Sequence, residues 1–312
     1  MKRKYAIGTD IGGSHICAVA IDLESGLMLT DSFTSSNLSN KAPADEILGC
    51  WGKVLGKTIA FVEKKQLAGI GFAMPGPFEY DKGIARFTHE VDKYESLNGL
   101  DIALELQNIL GLDNETHFRF MNDATSFAVG EAWKGSAASC KKSVCLTLGT
   151  GFGSAFIDSG IPVLEGDNVP HMGCVWHLPF MSGIADDYFS TRWFIKRYAE
   201  ISGQRMPGVK EIAMKAATDA QARKLFEEYG ANIGGFIAPW VKKFGAQCIV
   251  IGGNITKSFH LFENMFKSAL TAAGATPEIH LSELGETAAM MGSARLMEEN
   301  FWVRVKPLLS KM

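Results

Sequence analysis

Asp10 stands two residues before Gly12-Gly13, and Ser14 follows directly. Farther along, Gly149-Thr150-Gly151-Phe152-Gly153 repeats the pattern of closely spaced glycines with one hydroxyl, here on Thr150. Backbone N–H groups hold phosphate oxygens only where the chain approaches without Cβ atoms in the way. Glycine permits both that approach and the positive φ angles of such nests. Ser14 and Thr150 add hydroxyl donors. Asp10 is placed to hold the metal of a metal–nucleotide complex, usually Mg2+ through water. Between the loops, Asn122-Asp123 follows one apolar run and precedes another. A carboxylate there can accept the proton of a hydroxyl nucleophile. It can equally cap the following helix, where Asn and Asp are favoured.

The elements that must carry these residues are legible from apolar spacing. Residues 5–9 and 16–22 read as two strands joined by the first glycine turn, with a third strand possible over 27–32. Helical spacing covers 44–64, and a buried strand over 68–74 ends at the breaker Pro75-Gly76-Pro77. A helix over 100–110, a strand over 117–121 and a helix over 124–133 follow. The pattern then restarts: strand 143–148, second glycine turn, strand 154–158. Helices are expected over 186–201 and 219–244, a strand over 247–251 ending at Gly252-Gly253, and a closing helix over 288–299. A strand–glycine turn–strand unit therefore occurs twice, each time followed by alternating helix and strand. That predicts a duplicated α/β architecture with parallel strands and a ligand cleft between the halves.

Each loop alone is equally the turn of an ordinary β-hairpin. Neither is a Walker A loop, since no Gly-Lys-Ser/Thr follows. Neither is a dinucleotide fingerprint, since a strand rather than a helix follows each turn. Two similar loops in two similar halves point to a nucleotide clamp.

Composition bounds the remaining classes. The chain has 312 residues, enough for two domains, with 46% hydrophobic and 21% charged residues, as in globular proteins. A net charge of -3 gives no basic footprint for nucleic acid, and nothing suggests a membrane surface as partner. Cys17, Cys50, Cys140, Cys145, Cys174 and Cys248 include no Cys-x-x-Cys pair. Such sparse thiols fit a reducing cytosol, so a cytoplasmic location is expected. The N-terminal apolar run is broken by Asp10 and is not a signal peptide, and no apolar run reaches the roughly 18 residues of a membrane span.

Six segments taken together resemble the ROK family (repressor, open reading frame, kinase) of bacterial sugar kinases, within the hexokinase–actin–Hsp70 superfamily. They are residues 8–14 with Asp10-Ile11-Gly12-Gly13-Ser14, Met74-Pro75-Gly76-Pro77, Met121-Asn122-Asp123-Ala124, Gly130-Glu131-Ala132-Trp133-Lys134-Gly135, residues 147–153, and residues 249–255 with Gly252-Gly253. They stand in the family's order, and the likeness covers residues 5–295. The resemblance implies a ribonuclease H-like fold in each half; the repeat in the chain's own pattern places the boundary near residue 125, with 1–125 as the smaller domain and 126–292 as the larger. A C-terminal helix over 293–312 is expected to return to the first domain. It implies ATP with Mg2+, the latter through Asp10, and phosphate contacts from Gly12, Gly13, Ser14, Gly149, Thr150, Gly151 and Gly153. Gly252-Gly253 would lie against the adenosine. Asp123 would be the general base for a sugar hydroxyl, expected to be the 6-hydroxyl of a hexose or hexosamine, as in a glucokinase. Asn122 and Gly76 would contact the sugar. A homodimer or other homo-oligomer is expected.

Departures gather on the sugar side. Typical members carry Gly-Glu-x-Gly-His, a Cys-rich zinc loop, then Cys-Leu-Glu. Here Gly173-Cys174-Val175-Trp176-His177 places His177 at the family's histidine, with His171 as a rival register. Cys174 then replaces a sugar-binding Glu and Trp176 a glycine. Phe180–Gly183 is too short for a zinc loop and lacks cysteine, so no structural zinc site is expected. Asp186 falls at the Glu of Cys-Leu-Glu, where it can contact sugar hydroxyls or, in competition with Asp187, cap a helix. Glu90 lies near the family's sugar-contacting Asn. Three rivals stand beside the kinase reading. A ROK transcription regulator is disfavoured because the first loop begins by residue 8, leaving no room for a helix-turn-helix. A catalytically degenerate sugar-binding protein is motivated by the altered sugar motif. An actin- or chaperone-like ATPase is disfavoured by Asn122-Asp123.

Overall fold

The computed structural model describes residues 3–89, 93–113 and 115–312. Two compact units emerge: Met1–Gly135 together with Glu286–Met312, and Ser136–Gly285. The sequence reading placed the boundary near residue 125. The first unit instead runs to Gly135, because the helix after Asp123 packs within it.

The first unit opens with β1 (Tyr5–Ile11), β2 (His15–Asp22) and β3 (Met28–Asn37), an antiparallel meander. Then come α1 (Ala44–Ile59), β4 (Leu67–Met74), the short pair β5 (Phe78–Glu79) and β6 (Ile84–Ala85), α2 (Ile102–Leu110), β7 (His117–Asn122) and α3 (Asp123–Lys134). The five-stranded sheet has the order β3-β2-β1-β4-β7, with β1, β4 and β7 parallel. All of β4 is buried, as expected of a strand covered on both faces. Ile47, Leu48, Trp51, Val54 and Leu55 recur at helical spacing and give α1 its buried face.

The second unit repeats the plan. It contains β8 (Lys142–Leu148), β9 (Phe152–Asp158), β10 (Ile161–Pro162), β11 (Pro179–Phe180), β12 (Gly183–Ile184), α4 (Ala185–Phe189), α5 (Thr191–Ser202) and α6 (Val209–Lys215). They lead into α7 (Ala220–Phe244), β13 (Cys248–Gly252), α8 (Glu263–Ala272) and β14 (Glu278–Leu281). Its sheet order is β10-β9-β8-β13-β14, again a meander followed by parallel strands. Its core is aromatic: Phe189, Phe194, Tyr229 and Phe236 meet in tilted or edge-to-face pairs along α7. Each unit is thus the α/β, ribonuclease H-like domain that the resemblance implies.

The chain returns to the first unit through α9 (Thr287–Arg295) and α10 (Glu299–Val305). Ser293 Oγ accepts from Thr9 N–H at 3.1 Å and bonds Thr9 O at 3.0 Å, pinning α9 to β1. The buried Arg119 of β7 donates to Leu296 O at 2.5 Å and lies 3.9 Å from the Trp302 ring, which anchors α10. Glycines allow this approach. A Cβ on Gly71 would lie 1.9 Å from Ser293 O, on Gly130 2.0 Å from Ala288 O, and on Gly292 1.8 Å from Ser126 O.

Three local expectations change. The single helix expected over 186–201 is two, broken at the extended Ser190 (φ -108°, ψ 166°). The break frees Thr191 N–H to bond Gly149 O at 2.8 Å. The closing helix over 288–299 is likewise split into α9 and α10. Cys140 and Cys248 form a disulfide across a Cα separation of 6.5 Å, a pairing their spacing of 108 residues did not suggest. Among the described residues, no helix is long and apolar enough to cross a membrane.

Candidate active site

β1 delivers Asp10 near its C-terminal end, in register with Cys17 of β2 and Ala73 of β4. The chain then turns through Gly12-Gly13-Ser14, closed by Gly12 N–H donating to His15 O at 2.9 Å. Gly13 and Ser14 are exposed. Asp10 is held among carboxylates. Burial first, then the charges of Asp123 and Glu286, push its carboxyl up to about 7. The same surroundings push the Cys17 thiol up to about 11, through burial and then Asp10 and Glu286. The charges of Asp10, Asp123 and Glu286 bear on one another, and Lys93 offsets that of Asp123.

Asn122 ends β7 and Asp123 begins α3. Asn122 Oδ1 accepts from Thr125 N–H at 3.1 Å, so this residue does cap the helix. Its amide is spent otherwise: Nδ2 donates to Asp123 Oδ1 at 3.0 Å and reaches the Tyr80 hydroxyl at 3.4 Å. Ala124 N–H donates to the same Asp123 oxygen at 2.8 Å. The carboxylate is therefore gripped on one side. Burial raises its pKa, opposed by the charge of Lys93 and by these donors. Tyr80 also donates to Met74 O at 3.1 Å, tying Asn122 to the Pro75-Gly76-Pro77 turn, where Gly76-Pro77 is cis.

In the second unit, the turn between β8 and β9 comprises Gly149, Thr150 and Gly151, with Gly149 N–H donating to Gly151 O at 3.1 Å. Gly153 lies not in the turn but in β9, paired with Thr147. Gly252 ends β13, and Gly253 (φ +90°) sits where a Cβ would fall 2.3 Å from Leu148 O. Gly253 is thus required for the chain to pass the strand end that feeds the second turn.

The expected sugar contacts are distributed unevenly. Asp186 Oδ1 accepts from Phe152 N–H at 2.7 Å and Oδ2 pairs with Arg192 at 2.5 Å, so both of its oxygens are engaged by the second loop and its neighbour. Ile184 is the N-cap of α4, and Asp187 in the first turn reaches back to accept from its N–H at 3.1 Å. His177 Nδ1 lies 3.7 Å from Cys174 Sγ, and the His171 ring stands 6.4 Å from the His177 ring. The two candidate registers thus converge on one place. Burial and the neighbouring His171 lower the His177 pKa. Trp176 is partly exposed beside His177. Glu90 lies outside the described residues. Among the described residues no group of three or more His, Cys, Asp or Glu side chains is arranged to hold a metal ion by itself.

The sequence model of the ROK family matches residues 6–300. The chain belongs to the ROK family. Among relatives, the N-acetyl-D-glucosamine kinase of Pasteurella multocida is 25% identical, over 93% of this chain and 98% of that protein. The ROK glucokinase of Streptomyces griseus, solved with glucose and AMPPNP, superposes with a TM-score of 0.72 at 19% identity, covering 94% of this chain and 98% of that one. A ROK transcriptional regulator homologous to the E. coli MLC protein gives 0.76 at 15% identity, covering 99% of this chain and 81% of that one. Likeness at this level carries the fold and does not separate enzyme from regulator.

Within this ROK fold, the structure brings Asp10, Asn122 and Asp123 together with two residues the sequence reading did not single out. Glu286 opens α9 and interacts with Asp10, although it is 276 positions away by numbering. Lys93 bears on Asp123 from a loop that no local pattern marks. No spacing rule reaches across such distances in the chain; only the return of α9 to the first unit supplies the link.

Proposed function

We propose that this protein is an ATP-dependent sugar kinase that passes the γ-phosphoryl group of ATP to the 6-hydroxyl of a hexose or N-acetylated hexosamine. One observation carries the reading. Asp123 is a desolvated carboxylate fixed on one oxygen by Asn122 and Ala124 N–H, within electrostatic reach of the Asp10 acid cluster beside a glycine turn.

The sugar hydroxyl is a poor nucleophile until a positioned base takes its proton. Asp123 takes that proton on the oxygen that Asn122 and Ala124 do not hold. Burial raises its pKa, which makes the carboxylate a stronger proton acceptor. Asn122 orients Asp123 and, with Gly76, borders the sugar. The N–H groups of Gly12, Gly13, Ser14, Gly149, Thr150 and Gly151 bind phosphate oxygens, while Gly252-Gly253 lies against the adenosine. Asp10, with Glu286 nearby, would hold Mg2+ of the nucleotide complex, which would supply neutralisation of the phosphate charge. In-line placement and charge neutralisation supply the rest of the rate, since phosphoryl transfer needs little covalent help.

The relatives direct the first assay toward N-acetylglucosamine and glucose. An ADP-release assay with MgATP over a panel of hexoses and N-acetylhexosamines should reveal at least one substrate. A second reading, a sugar-binding protein without turnover, is favoured by the engagement of Asp186 and by Cys174 and Trp176 in the altered motif. No ADP release with any sugar, together with sugar-dependent thermal stabilisation, would establish that reading and overturn the kinase.

A further inference from the structure

In each glycine turn, two consecutive carbonyls are held from behind. In the first, Tyr94 Oη donates to Gly12 O at 2.5 Å and Asn40 Nδ2 donates to Gly13 O at 2.6 Å. These two donors are joined to each other, since Tyr94 N–H donates to Asn40 O at 2.8 Å. Tyr94 is fully buried and packs edge-on against Trp51, so its hydroxyl has a fixed origin. In the second turn, Thr191 donates to Gly149 O twice, from N–H at 2.8 Å and from Oγ1 at 2.9 Å. Arg192 Nη1 donates to Thr150 O at 3.2 Å, while its Nη2 is anchored on Asp186 at 2.5 Å.

A trans peptide is planar, and its C=O and N–H point in opposite directions. Tying Gly12 O and Gly13 O therefore aims the N–H groups of Gly13 and Ser14 the other way. Tying Gly149 O and Thr150 O does the same for Thr150 and Gly151. None of these four N–H groups has an acceptor among the described residues. The clamp answers a weakness of glycine turns. Peptide planes flanked by glycine rotate more freely than others, and ordering them on binding would cost affinity.

We infer that Asn40, Tyr94, Thr191 and Arg192 are positioning residues that aim the two turns at phosphate oxygens, and that Asp186 acts through Arg192 and Phe152 rather than on the sugar. This rests on the kinase reading, which supplies the phosphates. The two clamps share no sequence pattern. One is an amide and a phenol from separate loops, the other a threonine and an arginine at the start of α5. They share only the pair of carbonyls that they hold.

Calorimetric binding of MgADP tests it, with KM for MgATP and for the sugar measured on the same variants. Tyr94→Phe and Arg192→Gln each remove one hydrogen bond to a turn. Each should weaken MgADP binding about five- to tenfold, the effect of one net hydrogen bond. KM for MgATP should rise in step, while KM for the sugar stays at its wild-type value and the nucleotide-free melting temperature falls by only a few degrees, as for the loss of one hydrogen bond. Arg192→Lys should recover part of the loss, since an ammonium cannot hold Thr150 O and Asp186 in one fixed fork. Thr191→Val, which keeps its shape and backbone N–H, gives a smaller loss and serves if Arg192→Gln fails to fold. Unchanged MgADP affinity in Tyr94→Phe together with Arg192→Gln or Thr191→Val overturns the inference, and so does a loss that merely tracks the melting temperature. Wild-type protein that binds no MgADP removes the kinase reading and the inference with it. Wild-type binding with indifferent variants removes the inference alone.

Discussion

The two glycine turns sit at equivalent places in equivalent sheets, each joining the first antiparallel pair of its unit, yet their electrical surroundings are opposite. The first turn follows Asp10, which interacts with Asp123 and Glu286 and has its carboxyl pushed up to about 7. Beside the second lies Asp186, an acid engaged by Arg192 and by Phe152 N–H. A duplicated backbone can therefore hold two different functions. The first unit concentrates negative charge, which a cation and a transferable proton relieve. The second presents N–H groups and an arginine without net acidity, which suits an anion. Specialisation came from a handful of side chains around a shared loop geometry.

The sharpest way to break this comparison is to remove the base. Asp123→Ala should lower phosphotransfer by about 10²–10⁴-fold, the usual share of a general base, while circular dichroism and melting remain native. Near-full activity would mean that the acid cluster of the first unit is not catalytic.

A steric test contrasts the units next. Gly71 and Gly292 belong to the tight seam of β4, α3 and α9, where a Cβ would fall under 2.0 Å from a backbone oxygen. Gly292→Ala should destabilise the protein by about 2–4 kcal/mol in urea unfolding, as for overpacked or strained sites. Gly149 of the second turn has no atom within 4 Å of its notional Cβ. Gly149→Ala should therefore unfold within about 0.5 kcal/mol of wild type.

The charge difference also predicts a pH dependence. The Asp10 carboxyl, ordinarily at 3.8, is at about 7 in the fold. Between those values the folded chain binds more protons than the unfolded one, so its contribution to stability falls as pH rises. Asp10→Asn should raise the melting temperature of ligand-free protein by several degrees at pH 7.5 and leave it unchanged near pH 4. An identical gain at both pH values would show that the acid cluster carries no strain. The smallest effect concerns the sugar side. Trp176→Gly should change the ratio of kcat/KM between glucose and N-acetylglucosamine by about two- to tenfold, the range available to a reshaped apolar wall. An unchanged ratio would remove Trp176 from the pocket.

Much of the fold was readable because it is written in short-range patterns. The apolar runs at 5–9, 68–74 and 143–148, the helical spacing of α1 and α7, and the two glycine turns all depend on neighbours within a few residues. The misreadings have a common cause. Helix propensity runs smoothly through residues 186–201, but the chain breaks at Ser190 because Thr191 is needed at Gly149 O. The boundary near 125 followed the repeat in the pattern. The structural unit extends to Gly135 because Gly130 and Gly292 let α3 and α9 pack in direct contact. Among candidate residues, Asn122 and Asp123 stand side by side as their dipeptide demands. The fate of Asp186, engaged by Arg192 and Phe152, was not legible, since an acid at a family position looks the same whether it is free or paired.

By itself, the sequence determined the α/β character, the duplication, the identity of the glycine turns and the place of Asp123 at a strand–helix junction, because each is set by local spacing and residue type. Only the tertiary structure decided which charges share a site and which carbonyls are held. Glu286 meets Asp10 through the return of α9, Lys93 bears on Asp123, and Tyr94 and Asn40 hold Gly12 and Gly13. Electrostatic and hydrogen-bond partners are set by distance in space, and the chain brings them together only after its helices and sheets have packed.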